Sequence, residues 1–155
     1  MERTGILAIW ENEVKRGYAV YISTDSGFVE GVIEEINFEC GYATIKTATG
    51  ISYVKLIEAI YIQRISRNNS KCKNPKNVKN ARCVQCTQDI TANIWSNVSP
   101  GARVHVNIRG QSNRFSAVVE EVNLDLRYVG FRTISRVTYV PLDNIISVNV
   151  HDCDD

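Results

Sequence analysis

The sequence lacks an uninterrupted apolar stretch of about 18 residues, the length that a helix needs to cross a bilayer. Charged residues interrupt the N-terminal segment, where a signal peptide requires a continuous apolar run; they are Glu2, Glu11, Glu13 and Lys15. These absences predict a protein that is made in the cytoplasm without a signal peptide and that has no membrane partner.

Residues that carry catalytic chemistry are also scarce. The sequence has no glycine-rich phosphate loop, no nucleophile elbow and no helix with metal-ligand spacing. Of the 2 histidines, His105 lies between two valines of a predicted strand and His151 lies in an acidic tail. The acidic pairs Glu34–Glu35 and Glu120–Glu121 have no recognisable facing acid, so we interpret them as solvated bends. The sequence therefore predicts a protein that is not an enzyme and that needs no cofactor.

The composition is that of a globular chain, with 44% hydrophobic and 23% charged residues. Its charge is distributed unevenly. Residues 1–63 carry 5 basic and 9 acidic side chains, residues 64–82 carry 7 basic and none acidic, and residues 83–155 carry 6 basic and 8 acidic. The net charges of −4, +7 and −2 describe two acidic blocks around a basic connector.

The two acidic blocks are copies of one repeat. Three segments recur in order: Ile9-Trp10 as Ile94-Trp95, the six residues from Gly17 as those from Gly101, and the six residues from Val32 as those from Val118. From the third segment onward the two repeats stay 86 residues apart. The intervening loop is two residues longer in the second repeat.

Each repeat is rich in Val, Ile, Tyr and Thr in short alternating runs between glycine-containing turns, which predicts strands. We place the strands near 18–23, 28–37, 42–48, 51–56 and 58–63, and near 102–108, 114–123, 128–134, 137–141 and 145–150. The apolar positions change parity between Ile33 and Ile36, which predicts a bulge or a sharp bend at Glu34–Glu35. Five short strands in about 50 residues favour a small, strongly bent barrel over an open sheet.

A short segment with the repeated Ile-Trp pair precedes each barrel, at 6–14 and 90–98. It fits either a helical turn at the barrel end or an added strand. We expect Trp10 and Trp95 to be buried plugs rather than binding platforms. The predicted organisation is a first small β-barrel over 1–63, a basic cysteine-containing linker over 64–89, a second small β-barrel over 90–150 and an acidic tail over 151–155.

The spacing Gly31-x-Ile33-x-x-Ile36-Asn37-x-x-Cys40-Gly41 resembles the first motif of Sm proteins, in which a Gly, two apolar residues, an Asp and a Met-Asn pair follow one another. The segment 139–148 resembles the last two strands of Sm-like and related SH3-like small barrels. The resemblance covers nearly all of 17–63 and 101–150. It implies an all-β fold of two tandem five-stranded Sm-like or SH3-like small barrels joined by the basic linker.

The departures from the Sm pattern concern the residues that hold RNA in that family. Asn37 and Asn123 replace the motif Asp, and Gly41 and Arg127 replace the motif Asn. Neither repeat has a basic Gly turn between its last two strands. The RNA-binding residues of the family are therefore not reproduced in either repeat.

Tandem barrels whose strands end close to YxPLxxIxSI also resemble the repeats of bacterial spore coat proteins of the coat protein B type, and the chain has YVPLDNIISV from Tyr139. That resemblance implies a structural component deposited in a spore surface layer, without catalysis.

The sequence has 5 cysteines: Cys40, Cys72, Cys83, Cys86 and Cys153. The spacing of Cys83 and Cys86, with Cys72 upstream, suits a tetrahedral zinc site, but the fourth ligand would have to be Cys40, Cys153 or His151. A redox motif would need a helix N-terminus beside a βαβ unit. We favour intermolecular cross-linking by Cys72, Cys83, Cys86 and Cys153, and we expect Cys40 to be a small buried apolar residue.

The linker carries seven basic residues: Arg64, Arg67, Lys71, Lys73, Lys76, Lys79 and Arg82. Without aromatic residues it can neutralise phosphates but cannot stack on bases, so its binding to nucleic acid would be salt-sensitive and blind to sequence. The acidic barrels of the same or another chain are the alternative partner. We rank self-association first and nucleic acid second.

The predicted function is that of a structural protein, a homo-oligomer or a partner of other structural proteins, that self-associates through barrel edges and cysteine cross-links. The rival is an Sm-like RNA-binding protein, in which the linker and five arginines of the second repeat hold phosphate: Arg109, Arg114, Arg127, Arg132 and Arg136. A zinc-stabilised adaptor that uses Cys72, Cys83 and Cys86 is the third alternative.

Overall fold

A computed structural model describes residues 3–65 and 90–151. The two repeats contain the same elements in the same order. In the first repeat these are helix α1 (Gly5–Asn12) and strands β1 (Ala19–Thr24), β2 (Gly27–Asn37), β3 (Tyr42–Thr47), β4 (Gly50–Lys55) and β5 (Ala59–Ile65). In the second they are α2 (Ile90–Trp95), β6 (Arg103–Ile108), β7 (Phe115–Asn123), β8 (Tyr128–Arg132), β9 (Arg136–Pro141) and β10 (Ile145–His151). A 3₁₀ turn precedes the last strand of each repeat, at Leu56–Glu58 and Leu142–Asn144.

The repeat extends to individual backbone contacts. Gly17 and Gly101 both have φ +94°, a conformation that favours glycine, and their N–H groups donate to the carbonyls of Ile33 and Val119. The pairing register shifts at Glu34 and again at the equivalent Glu120, so the predicted bulge is present in both repeats. The bulges bend β2 and β7 and so allow each strand to curve around its core.

The asparagines that replace the Sm aspartate have a local structural role. The side-chain oxygen of Asn37 accepts a hydrogen bond of 2.9 Å from the Cys40 N–H, and Asn123 accepts one of the same length from the Leu126 N–H. Each asparagine therefore stabilises the turn that follows its bent strand. Arg127 has φ +63° in the second of these turns.

The ten strands form one antiparallel sheet in the order β10-β6-β7-β8-β9-β5-β1-β2-β3-β4. The predicted all-β class is confirmed. The sheet is continuous through both repeats, because β5 of the first repeat pairs with β9 of the second. It does not close, and its two outermost strands are β4 and β10.

The buried apolar side chains form two hydrophobic clusters, and each cluster contains residues from both repeats. The first holds α1 residues and the inner side chains of β1 to β5, together with Tyr128, Val137 and Tyr139 from the second repeat. The other holds the second repeat's inner side chains together with Ile60 from the first. The repeats thus share their cores across the pairing of β5 with β9.

The segment before the strands of each repeat is a helix, which resolves the alternative between a helical turn and an added strand. Trp10 and Trp95 are both buried, as predicted for plugs, and the Trp10 indole donates a hydrogen bond of 3.0 Å to the Leu56 carbonyl. Within 3–65 and 90–151, neither helix is long and apolar enough to cross a membrane.

Candidate functional site

The junction between the repeats is an antiparallel strand pair covered by a helix. Strand β5 pairs with β9 in the register Ile62↔Tyr139, Gln63↔Thr138, Arg64↔Val137 and Ile65↔Arg136. Helix α1 packs across β9 and β8, and its first N–H, from Gly5, donates to the Leu126 carbonyl over 2.6 Å. Ile9 of this helix is completely buried in the cluster that contains Tyr139. The junction is therefore built like the interior of a domain.

A bulge in β5 directs one side chain across the junction. The pairing of β1 with β5 passes from Tyr61 to Ala59 and leaves Ile60 without a partner in the register. Ile60 belongs to the second repeat's cluster, and its carbonyl accepts a hydrogen bond of 2.9 Å from the Asn144 side chain. The bulge thus inserts a residue of the first repeat into the core of the second.

Polar groups close the other side of the junction. The Tyr128 hydroxyl donates to a Glu13 carboxylate oxygen over 2.5 Å. The Arg64 guanidinium donates to the Glu13 carbonyl and lies 5.4 Å from the centre of the Tyr139 ring. Burial raises the pKa values of Tyr128 and Tyr139 above the ordinary tyrosine value, and the Glu13 carboxylate raises them further. Burial, followed by the charge of Glu13, also raises the pKa of Glu121.

The two ends of the sheet carry the same residue types in an exposed form. No described strand pairs with the outer edge of β4 or of β10. Tyr139 of the junction is 1% exposed, whereas its counterpart Tyr53 on β4 is 71% exposed. Ile60 is 7% exposed and its counterpart Ile146 on β10 is 68% exposed. Both edges thus expose apolar side chains whose counterparts are buried in the junction, and they are our candidate functional site.

An open groove of about 400 Å³ lies beside β4. It is lined by Thr24, Asp25, Val29, Tyr53, Val54 and Glu58, among others. Val29 and Val54 correspond to Phe115 and Val140, which pack in the cluster that Ile60 enters. The groove is therefore the first repeat's version of the place that Ile60 occupies in the second.

The predicted cross-linking cysteines Cys72, Cys83, Cys86 and Cys153 lie outside the described residues. Cys40 is described, and its predicted burial is wrong: its thiol is free and the residue is exposed. The reason is local, because Cys40 sits in the turn after β2 and its backbone N–H is fixed by Asn37. Among the described residues, no three His, Cys, Asp or Glu side chains come together in a way that could hold a metal ion.

The predicted phosphate-binding residues are divided. The linker residues Arg67, Lys71, Lys73, Lys76, Lys79 and Arg82 lie outside the described residues. Arg64 is part of the junction. Of the five arginines predicted in the second repeat, Arg114 is exposed. The other four form hydrogen bonds or ion pairs within the chain: Arg109 with the Asp143 carbonyl, Arg127 with Asp143, Arg132 with Glu120 and Arg136 with Glu30. Their charge is thus partly compensated by neighbouring groups.

The sequence prediction overlooked the junction and the two edges that resemble it. The signal was present in the repeat itself, since Tyr53 matches Tyr139 and Ile146 matches Ile60. No protein-family model, no curated protein and no solved structure matches the chain.

Proposed function

We propose that the chain is a non-enzymatic structural protein that self-associates through the edges of its sheet and is reinforced by cysteine cross-links. Each repeat acts as a small barrel unit of the Sm-like or SH3-like kind, and the assembly forms part of a spore surface layer. The sequence resemblance to coat protein B repeats is the ground for the spore layer.

A single observation carries the proposal: β5 and β9 join the repeats, whereas their counterparts β10 and β4 pair on one side only and leave their outer edges open at the ends of the described sheet. An exposed strand edge presents backbone N–H and C=O groups that pair readily with another chain. Natural proteins usually protect such edges with charge, proline or a covering loop. Here β4 instead exposes Ile51 and Tyr53, and β10 exposes Ile146 and Val150. Edges of this composition favour assembly.

The test is the mass of the full chain in solution, measured by light scattering after size exclusion with and without a reductant. We expect large assemblies that become smaller on reduction, because the strand edges associate and the cysteines then lock them. In the assembly, Cys72, Cys83, Cys86 and Cys153 are expected to be protected from alkylation, while the exposed Cys40 reacts. A monomer under both conditions would contradict the proposal.

Titration of single-stranded RNA in a filter-binding assay separates this proposal from the RNA-binding alternative. The structural proposal predicts weak binding that disappears at physiological salt, because the basic linker has no aromatic residues to stack on bases. Micromolar or tighter binding at that salt concentration would favour the alternative.

A further inference from the structure

We infer that the β10 edge of one chain docks head-to-tail on the β4 edge of a second chain and that it reproduces the internal β5–β9 junction, with Ile146 seated in the groove beside Tyr53. This inference rests on the proposed function: it names the partner as a second copy of this chain and specifies the geometry of the contact.

The register of the contact follows from the repeat. The internal pairs Ile62↔Tyr139, Gln63↔Thr138, Arg64↔Val137 and Ile65↔Arg136 become Val148↔Tyr53, Asn149↔Ser52, Val150↔Ile51 and His151↔Gly50 when each residue is replaced by its counterpart 86 positions away. No proline interrupts either strand segment, so both edges can provide backbone hydrogen bonds. The new pair would extend the ten-stranded sheet without a break.

The second repeat's helix supplies the cover for this strand pair. In the junction, α1 covers β9 and Ile9 is completely buried. Its counterpart in α2 is Ile94, which is 42% exposed. Docking would place Ile94 over Tyr53 and Ile51 of the second chain, in the way that Ile9 lies over Tyr139 and Val137. Part of the apolar face of α2 is therefore exposed, and in our inference it covers a strand of a second chain.

The fit of the Ile146 side chain, the knob, into the groove beside β4 is the most specific part of the match. Strand β10 repeats the bulge of β5, since its register with β6 passes from Ile145 to Ser147 and leaves Ile146 unpaired. The same bulge that aims Ile60 into the second repeat thus aims Ile146 outward from the end of the sheet. The groove beside β4 corresponds to the place that Ile60 fills, and it is open. The exposed Ile146 side chain and the open groove therefore lie at opposite ends of one sheet.

The polar contacts of the junction are not all repeated. The counterpart of Asn144 is Glu58, which has no side-chain amide to donate, and the counterpart of Arg64 is Val150. We expect the contact between chains to be weaker than the internal junction and to be reversible until cysteines lock it. Because the two surfaces differ, the contact is heterologous and produces a ring if its rotation closes, or otherwise a filament.

Directed disulfide formation between two singly substituted chains tests the register. Both are full-length chains in which the 5 native cysteines are serine. One carries Ser52→Cys and the other Asn149→Cys, and both positions lie at the sheet edges, where they are solvent-accessible. Facing Cα atoms of paired antiparallel strands are about 4.5–5.5 Å apart, within the range that a disulfide spans. On mild oxidation, we expect a dimer from the mixture and none from either chain alone.

The control moves one cysteine by two residues along the same strand. Ser147→Cys mixed with Ser52→Cys separates the thiol-bearing residues by about 7 Å along the strand, beyond the reach of a disulfide. Cross-linking of this pair, dimers of Ser52→Cys alone, or no cross-linking in the mixture would overturn the inference.

Light scattering separates failure of the inference from failure of the proposed function. If the cysteine-free chain is oligomeric but the mixture of Ser52→Cys and Asn149→Cys gives no cross-link, or if the cysteine-free chain is monomeric while the wild type assembles, the head-to-tail contact alone is overturned. A wild-type chain that is monomeric with and without reductant overturns both.

Discussion

The junction between the repeats and the two ends of the sheet carry nearly the same side chains in opposite environments. Val137 and Tyr139 on β9 are buried under α1, whereas Ile51 and Tyr53 on β4 are exposed. The difference follows the surroundings of each strand, because β9 lies between β8 and β5 under α1, whereas no described strand pairs with the outer edge of β4. The recurrence of these apolar residues at the open edges is the basis for the proposed contact between chains.

The comparison also separates stability from assembly. A side chain in the junction contributes to the free energy of unfolding of the single chain, because its burial is intramolecular. In the proposed assembly, the equivalent side chain at an edge contributes mainly to association. Matched substitutions at equivalent positions can therefore distinguish the two roles within one protein.

The largest expected effect comes from the tyrosine pair. Tyr139→Ala removes a buried aromatic ring that packs against Tyr128, so we expect it to lower the free energy of unfolding by about 3–5 kcal/mol. Tyr53→Ala removes an exposed ring that meets the ring of Tyr42 edge-on, and in dilute solution it should change that free energy by about 1 kcal/mol or less. Urea unfolding of the two variants measures both values. Equal losses would mean that the repeats do not differ as the structure describes.

A smaller effect, on association rather than stability, is expected at Ile146. Ile146→Lys puts a charge on the knob that we place in the groove, and loss of about 2 kcal/mol at such a contact weakens association roughly 30-fold. The matched control is Ile134→Lys, since Ile134 is equally apolar and is exposed in the turn between β8 and β9, away from both edges. Light scattering across a dilution series gives the dissociation midpoint for each variant. If both variants shift it equally, the effect is one of charge and not of the knob.

Sequence reasoning predicted the elements well and their assembly incompletely. The ten strands and the bulges could be predicted because alternation, turn residues and the change of parity at Ile33 and Ile36 are local signals. The pairing of β5 with β9 could not be predicted, because it depends on how the two repeats are arranged in three dimensions. The alternation of apolar and polar residues along a strand does not indicate which strand pairs with its edge. The prediction that Cys40 is buried failed for a related reason, because a motif position that is apolar elsewhere lies here in an exposed turn.

The candidate site was partly contained in the sequence. The repeat alignment already placed Tyr53 opposite Tyr139 and Ile146 opposite Ile60. Which member of each pair is covered could only come from the structure. Charges and thiols are conspicuous in a sequence, whereas an exposed isoleucine is ordinary until its buried counterpart is known.

The last prediction uses a carboxyl group that is half-buried in the junction and exposed in the other repeat. Glu121 lies beside Glu13, and burial together with that charge raises the pKa of Glu121 above the ordinary glutamate value, although the Arg64 guanidinium opposes the shift. Folding therefore favours the protonated carboxyl. Its stabilising contribution is complete below the ordinary pKa and is lost as the pH rises through the raised pKa of the folded state.

We therefore expect the urea midpoint to fall between pH 4 and neutral pH by an amount that Glu121→Gln reduces. Glu35→Gln is the control, because Glu35 occupies the same position in the first repeat and is exposed there. It should leave the pH dependence unchanged. If Glu35→Gln flattened the profile as much as Glu121→Gln, the junction and the edge would be electrostatically alike, and the contrast between a covered and an uncovered copy of the same surface would not extend to its charges.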